Sequence, residues 1–429
     1  SVVSGEYCQL LLSVFDAAEV EFGAFASGSG SASGAVVSSS STVVSGSSGA
    51  VGGAAIGASA SVEEKTSVSS SGGLSSGAPS PSLVMESTTT VTKLSTSIVR
   101  SVGFGSLYAQ SCHDVAEGAS LALYADIEAA VQEIHCKYTG GAADEKMLAS
   151  ILVSKTNEQR YLIWWRYYIL YKQSLTVWVK SAGDYGILLQ MLASPLEHVE
   201  AEILRKATKG LGTTEEWIYP VVMARSNAEI ALLKKTFQEK YGEDLVKILK
   251  GELGGDLRKV IMAALKGDLP SFNPAIYTSA KAAADADALY KAGEGKWGTD
   301  EETFIGIIIS SPVEHLRNID AAYSKKYKKT NIIKAIKGEF KGAAQAALLF
   351  HVRMVFEPFE LLADLFESTM KGLGTDEYGL SAAVVRYHAM LPQIKSAYKK
   401  MYGKELSKRI RGDTSGEYRD LLLAIVDSQ

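Results

Sequence analysis

The chain has 429 residues and a net charge of −4. This mild acidity argues against nucleic-acid binding and against attachment to anionic lipid through a polybasic patch. The three cysteines are too few for a disulfide framework and fit a reducing compartment. No uncharged apolar run reaches about 18 residues, so we expect no membrane-spanning helix.

The first segment, residues 1–115, has a low-complexity composition. Ser, Gly, Ala and Val dominate residues 28–77, which is typical of a linker. Residues 7–25 place apolar side chains on one helical face with acidic residues among the polar positions, which predicts a short amphipathic helix. Its acidity favours binding to a protein over anchoring in a membrane. We therefore expect this tail to contact a protein partner or to mediate self-assembly.

Three glycine-rich loops recur in the rest of the chain. They read Gly210-Leu211-Gly212-Thr213-Thr214-Glu215, Lys296-Trp297-Gly298-Thr299-Asp300-Glu301 and Gly372-Leu373-Gly374-Thr375-Asp376-Glu377. Glycine tolerates a positive φ, so the chain can turn sharply and direct successive carbonyl groups at one point. The Thr after the last glycine predicts a helix N-cap, and Thr213 and Thr299 each have a Glu three residues later, which predicts a capping box.

An acidic residue follows each loop at a nearly constant distance. Glu252, Glu339 and Asp413 lie 40, 41 and 39 residues after the last glycine of their loops. Helix capping explains the Gly, Thr and Glu of the loops, but it explains neither these acids nor the apolar residue inside each loop. Calcium takes 6–8 oxygen ligands from carbonyls, carboxylates and water. The pattern therefore predicts three calcium sites.

The loops and their flanks resemble the annexin family. The resemblance rests on KGLGT at 209–213, AGEGKWGTDEETFI at 292–305, MKGLGTDE at 370–377 and RGDTSGEYRDLLLAIV at 411–426, and it covers about residues 117–429. It implies an all-α fold of four repeats of five helices each in a curved disc, with calcium sites on the convex face. The expected repeats are residues 116–194, 195–268, 269–354 and 355–429, after the N-terminal extension 1–115.

The first repeat departs from the pattern. Its loop is Gly140 to Glu145, with Ala142 where the other loops have glycine. Its acid position falls at Ala182, and Asp184 is two residues out of register. We expect repeat one to lack a calcium site, with Asp184 as a weak substitute candidate.

The resemblance also implies which atoms hold calcium. The expected ligands are the loop carbonyls and one carboxylate in each repeat: Thr208, Gly210, Gly212 and Glu252; Gly293, Lys296, Gly298 and Glu339; Met370, Gly372, Gly374 and Asp413. Water and a lipid phosphate oxygen complete each shell. The apolar loop residues Leu211, Trp297 and Leu373 are expected to contact the membrane.

The expected function is calcium-dependent binding to acidic phospholipid membranes, with calcium as the cofactor. The alternative is a structural protein of a cytoskeletal or filamentous assembly, in which the repeats are building blocks and the tail is a tether. We expect no enzymatic activity, because the six histidines show no metal-binding spacing and no catalytic motif is visible. The expected location is cytoplasmic, at the membrane periphery or on the cytoskeleton.

Overall fold

The computed structural model describes residues 121–139, 144–210, 212–328 and 330–428, which belong to one compact unit. These ranges contain helices and no β-strand, so the all-α prediction is confirmed. The tail, its predicted helix near residues 7–25, and the loop residues Ala142 and Leu211 lie outside them.

The helices follow one another in four similar runs, which we call repeats one to four. Repeat one contains α1 (Leu121–Thr139), α2 (Glu145–Val153), α3 (Asn157–Tyr171), a 3-10 helix (Leu175–Trp178) and α4 (Gly183–Leu192). Repeat two contains α5 (Leu196–Thr208), α6 (Glu215–Val222), α7 (Asn227–Tyr241), α8 (Leu245–Glu252) and α9 (Gly255–Leu265). Repeat three contains α10 (Ser279–Ala292), α11 (Glu301–Ser310), α12 (Val313–Lys326), α13 (Ile332–Glu339) and α14 (Gly342–Phe356). Repeat four contains α15 (Pro358–Thr369), α16 (Glu377–Arg386), a 3-10 helix (His388–Met390), α17 (Leu391–Tyr402), α18 (Leu406–Asp413) and α19 (Gly416–Asp427).

Local sequence explains where these helices begin and end, as α7 illustrates. The Ser226 hydroxyl accepts a hydrogen bond from the Glu229 backbone N–H, and the Glu229 carboxylate accepts one from the Ser226 N–H. Gly242 ends the helix with a φ of 70°, which glycine adopts without a steric penalty. The helix therefore carries its own start and stop signals.

Contacts between repeats hold the loops in place. α4 packs against α16, and α9 packs against α11 and α14. Between repeats two and four, the fully buried Glu200 accepts hydrogen bonds from the guanidinium groups of Arg225 and Arg386, at 2.7 Å for Arg386 Nε. This buried ion cluster links repeats two and four, and removing one partner from such a cluster costs several kcal/mol because a buried charge is left unpaired.

Candidate calcium sites

Each glycine-rich loop joins the first helix of its repeat to the second. One backbone hydrogen bond closes each loop at an equivalent position: Thr214 N to Ala207 O at 3.0 Å, Asp300 N to Ala292 O at 2.7 Å, and Asp376 N to Thr369 O at 2.8 Å. The loop of repeat three is one residue longer between these two atoms. This extra residue explains why the first expected ligand there is Gly293, five residues before the last glycine rather than four.

The loop glycines adopt backbone angles that other residues avoid. Gly210 and Gly212 have φ values of 130° and 93°, Gly372 and Gly374 have 116° and 92°, and Gly298 has 80°. A side chain at these angles would be strained. The glycines therefore allow the sharp turn that brings several carbonyl groups into one short loop.

The tertiary structure brings each loop to its distant acid. The Thr213 hydroxyl donates a hydrogen bond to Glu252 Oε2 at 3.2 Å, and the Thr299 hydroxyl donates to Glu339 Oε2 at 2.5 Å. In repeat four the Thr375 hydroxyl donates to Asp413 Oδ2 at 2.8 Å. The hydrogen bond between threonine and acid therefore forms in all three repeats. Each acid lies beside the loop that precedes it by about 40 residues in the sequence.

This contact corrects the predicted role of the threonines as helix caps. The N-cap of α6 is Thr214, which makes no side-chain cap hydrogen bond, so Thr213 does not form a capping box. The N-cap of α11 is Asp300, whose carboxylate accepts from the Thr303 N–H at 3.1 Å. That N–H and the Thr303 hydroxyl lower the pKa of the Asp300 carboxyl. The hydroxyls of Thr213 and Thr299 face the distant acids instead.

In repeat three the loop and its acid approach closely enough to require glycine. A Cβ atom on Gly293 would lie 2.8 Å from Glu339 Cγ and 3.3 Å from Phe304 Cε2. A side chain at this position would force the Glu339 carboxylate to shift away from the loop. The donors gathered here are oxygens, namely loop carbonyls and one carboxylate, which suits calcium.

Repeat four contains an additional residue at the same place. Arg409 Nη1 donates to Asp413 Oδ1 at 2.7 Å, and Nη2 donates to the carbonyl oxygen of Met370. Both acceptors are expected calcium ligands. The side chain of Arg409 also reaches Glu367 Oε2, 3.3 Å from Nε.

Comparison with known proteins decides the family. The annexin family model matches residues 199–264, 284–350 and 362–425. The chain is 34% identical over 289 residues to annexin A5 of Cynops pyrrhogaster, covering 67% of this chain and 88% of that relative. It is 32% identical to annexin A7 of Dictyostelium discoideum, covering 67% of this chain and 62% of that relative. The chain belongs to the annexin family.

Solved annexin structures have the same fold. Annexin III matches with a TM-score of 0.63 and 31% identity, covering 72% of this chain and 94% of that one. Calcium-bound annexin (Sm)1 matches with a TM-score of 0.62 and 25% identity, covering 70% and 90% of the two chains. The matched family segments begin at residue 199, so they include repeats two to four and leave repeat one unmatched.

Repeat one of this annexin has a different junction between the loop and the acid position. Glu145 Oε1 accepts hydrogen bonds from the backbone N–H groups of Lys180 and Ser181, at 2.8 Å for Ser181. Burial raises the pKa of the Glu145 carboxyl, but hydrogen bonds from the Ser181 side chain and from the Lys180 and Ser181 backbone outweigh it, and the net shift is downward. Ala182, at the acid position, precedes α4 without a side-chain cap.

Two of the apolar loop residues point into solvent. The relative exposures of Trp297 and Leu373 are 103% and 109%, the largest among the exposed large hydrophobic side chains of the described chain. Neither side chain packs against the rest of the described chain, and large apolar side chains exposed to solvent often belong to binding surfaces. None of the described helices combines the length and apolar character needed to cross a membrane.

Within the described ranges, no three His, Cys, Asp or Glu side chains cluster in a way that could hold a metal ion. The expected ligand sets contain one carboxylate each and rely on backbone oxygens. Sequence reasoning missed two features of these sites. The first is the contact between threonine and acid, which could have been inferred because a threonine follows the last glycine of every loop. The second is the extra contact in repeat four, which could have been inferred from Arg409, one helical turn before Asp413.

Proposed function

We propose that this annexin binds acidic phospholipid membranes in a calcium-dependent manner through repeats two to four. The observation that carries the proposal is the threonine–acid hydrogen bond, which places a carboxylate beside the carbonyl-rich loop in each of these repeats. Calcium would be held in repeat two by Thr208, Gly210, Gly212 and Glu252, in repeat three by Gly293, Lys296, Gly298 and Glu339, and in repeat four by Met370, Gly372, Gly374 and Asp413.

The ligand sets explain why calcium and lipid would act together. Each set has one protein carboxylate, and the number of charged ligands tunes calcium affinity. A lipid phosphate oxygen adds a negatively charged ligand from the membrane side. Calcium bound at the loops also supplies the positive charge that a chain of net charge −4 does not offer to an anionic surface. Trp297 and Leu373 would then enter the interface beside the bound ions.

Vesicle co-sedimentation tests this function. Vesicles of phosphatidylserine and phosphatidylcholine should sediment the chain as calcium rises, and a chelator should release it. Vesicles of phosphatidylcholine alone should bind far less at every calcium concentration. Equal binding to both vesicle types, or binding that survives chelation, would contradict the proposal. The assembly role of the tail and the absence of enzymatic activity stay predictions.

A further inference from the structure

One guanidinium group contacts two of the oxygens expected to hold calcium in repeat four. Arg409 Nη1 lies 2.7 Å from Asp413 Oδ1, and Nη2 donates to the carbonyl oxygen of Met370. The other carboxylate oxygen of Asp413 accepts from the Thr375 hydroxyl at 2.8 Å. Both oxygens of this carboxylate are therefore engaged, and its negative charge faces a fixed positive charge.

The geometry of α18 favours this arrangement. Arg409 and Asp413 are four residues apart on one helix, so their side chains lie on the same face. The side chains are 23% and 20% exposed, which makes this a partly buried pair with limited solvent screening. A hydrogen-bonded charge pair in such a position is stronger than an exposed surface pair.

Glu367 offers the guanidinium a second place to bind. It lies on α15, accepts from Arg409 Nε at 3.3 Å, and also accepts a hydrogen bond from the Tyr398 hydroxyl. Glu367 is not among the expected calcium ligands. Arg409 can therefore release Asp413 and Met370 and keep a carboxylate partner within reach.

Repeats two and three lack this pair of residues. The position four residues before the acid is Ile248 in repeat two and Ala335 in repeat three, and neither carries a charge. The position of Glu367, two residues before the carbonyl that closes the loop, is Arg205 in repeat two and Tyr290 in repeat three, so neither repeat has a carboxylate there. Arg205 is already paired with Glu243, at 2.6 Å from Nη1. The combination is a property of repeat four among the three.

We propose that Arg409 acts as an internal cation in the repeat-four site, which calcium must displace before it binds. This inference rests on the proposed function, since it concerns the same ligand set. A guanidinium and a calcium ion compete for the carboxylate and the carbonyl because both need the same lone pairs. Repeat four therefore needs a higher calcium concentration for binding than the same ligands would need without Arg409.

The test isolates repeat four with the substitutions Glu252→Ala and Glu339→Ala. In this background, calcium-dependent binding to phosphatidylserine-containing vesicles is compared for Arg409 and Arg409→Gln. Glutamine keeps a hydrogen-bond donor and removes the charge. We expect half-maximal binding at roughly tenfold lower calcium, as for the loss of one competing charged hydrogen-bond pair. The matched control is Arg411→Gln, which removes the same charge from an exposed position on α18.

The outcomes separate this inference from the proposed function. Equal shifts in Arg409→Gln and Arg411→Gln, no shift, or weaker binding in Arg409→Gln each overturn the internal-cation role. No calcium response in any variant of this background overturns it as well. The proposed function is checked separately in the Asp413→Ala chain, where repeats two and three should still bind vesicles with calcium.

A second variant checks that the effect does not arise from misfolding. Arg409→Lys keeps the charge but replaces the planar fork by a single ammonium group, which cannot span both acceptors in the same way. We expect a smaller gain, about threefold, with an unchanged circular dichroism spectrum. A crystal structure grown with calcium chloride gives a direct readout. Calcium bound to Asp413 with Arg409 still on Asp413 and Met370 would contradict the displacement.

Discussion

Repeats one and three differ in how the loop is joined to the acid position, because the carboxylate comes from opposite sides of this junction. In repeat three Glu339 is the last residue of α13, and its carboxylate accepts a hydrogen bond from the hydroxyl of Thr299 in the loop. In repeat one the carboxylate comes from the loop side, where Glu145 begins α2 and accepts backbone N–H groups of Lys180 and Ser181.

The difference predicts that a cation site requires more than a nearby acid. The repeat-three carboxylate faces a loop rich in carbonyl oxygens, so negative potential accumulates there. One oxygen of the repeat-one carboxylate, Glu145 Oε1, accepts two backbone N–H groups, whose positive ends oppose a cation. We therefore expect hydrogen bonds alone to join these two segments in repeat one and a cation to bind between them in repeat three.

The largest effect is expected from removing the acids of repeats two to four together. We expect the chain with Glu252→Ala, Glu339→Ala and Asp413→Ala to lose calcium-dependent vesicle binding by more than about a hundredfold, because each calcium set loses its only carboxylate. Co-sedimentation at rising calcium measures this, and circular dichroism should show an intact helical fold. Residual binding that vanishes when Asp184→Ala is added would show that repeat one holds calcium after all.

The next largest effect is expected from the exposed indole of Trp297. Trp297→Ala should weaken vesicle binding by about 1.5–3 kcal/mol, the value of burying one large apolar side chain. Calcium binding without vesicles should stay the same, since the indole supplies no ligand. Co-sedimentation and calcium titration separate the two quantities.

Fluorescence provides the control for this reading of Trp297. The emission difference between the unaltered chain and Trp297→Phe isolates this indole from the other tryptophans. It should shift to the blue when calcium and phosphatidylserine vesicles are added together. An unshifted difference spectrum would place the side chain outside the membrane.

The close approach of loop and acid in repeat three predicts a smaller effect. Gly293→Ala would place a Cβ 2.8 Å from Glu339 Cγ, so the carboxylate must move. We expect calcium binding at repeat three to weaken by about 1–3 kcal/mol, the usual cost of overpacking. The measurement is a vesicle-linked calcium titration in a background with Glu252→Ala and Asp413→Ala. Gly338→Ala is the matched control, because a Cβ there meets no atom within 4 Å; an equal loss in both variants would refute the steric explanation.

The smallest expected effect concerns the stability of repeat one. Glu145→Ala should lower the free energy of unfolding by about 1–2 kcal/mol at neutral pH, because two backbone N–H groups lose a charged acceptor. The pKa of Glu145 is lower in the folded chain than its usual value of 4.5. The stabilisation is therefore present above pH 4.5 and is lost as the pH falls through the folded pKa.

Urea unfolding of the unaltered chain and of Glu145→Ala, at pH 7 and at successively lower pH, checks this prediction. The gap between the two chains should narrow in acid. Glu133→Ala, which changes an exposed glutamate on α1, is the control and should leave stability nearly unchanged. A gap that widens on acidification would contradict the assigned role of the Glu145 carboxylate.

Much of the architecture followed from local patterns. Gly212, Gly298 and Gly374 mark loops because few other residues adopt their backbone angles, and φ is positive at all three. The pairing of each loop with an acid about 40 residues later was also visible, because the spacing repeats. The threonine interpretation was wrong, because a capping preference is a local rule and the competing acceptor is distant in sequence.

The helical class, the loops and the acids that belong to them could be predicted from the sequence alone. These depend on backbone preferences and on periodic spacing, both of which can be read along the chain. The hydrogen-bond partner of each polar side chain, in contrast, depends on how the helices pack. Thr299 has a backbone N–H nearby and Glu339 across the repeat, and helix packing favours the second. Helix packing also pairs Arg409 with the Met370 carbonyl and Glu145 with the Ser181 N–H. Hydrogen bonding depends on distance and angle in the folded chain, and the separation of two residues along the sequence does not give either.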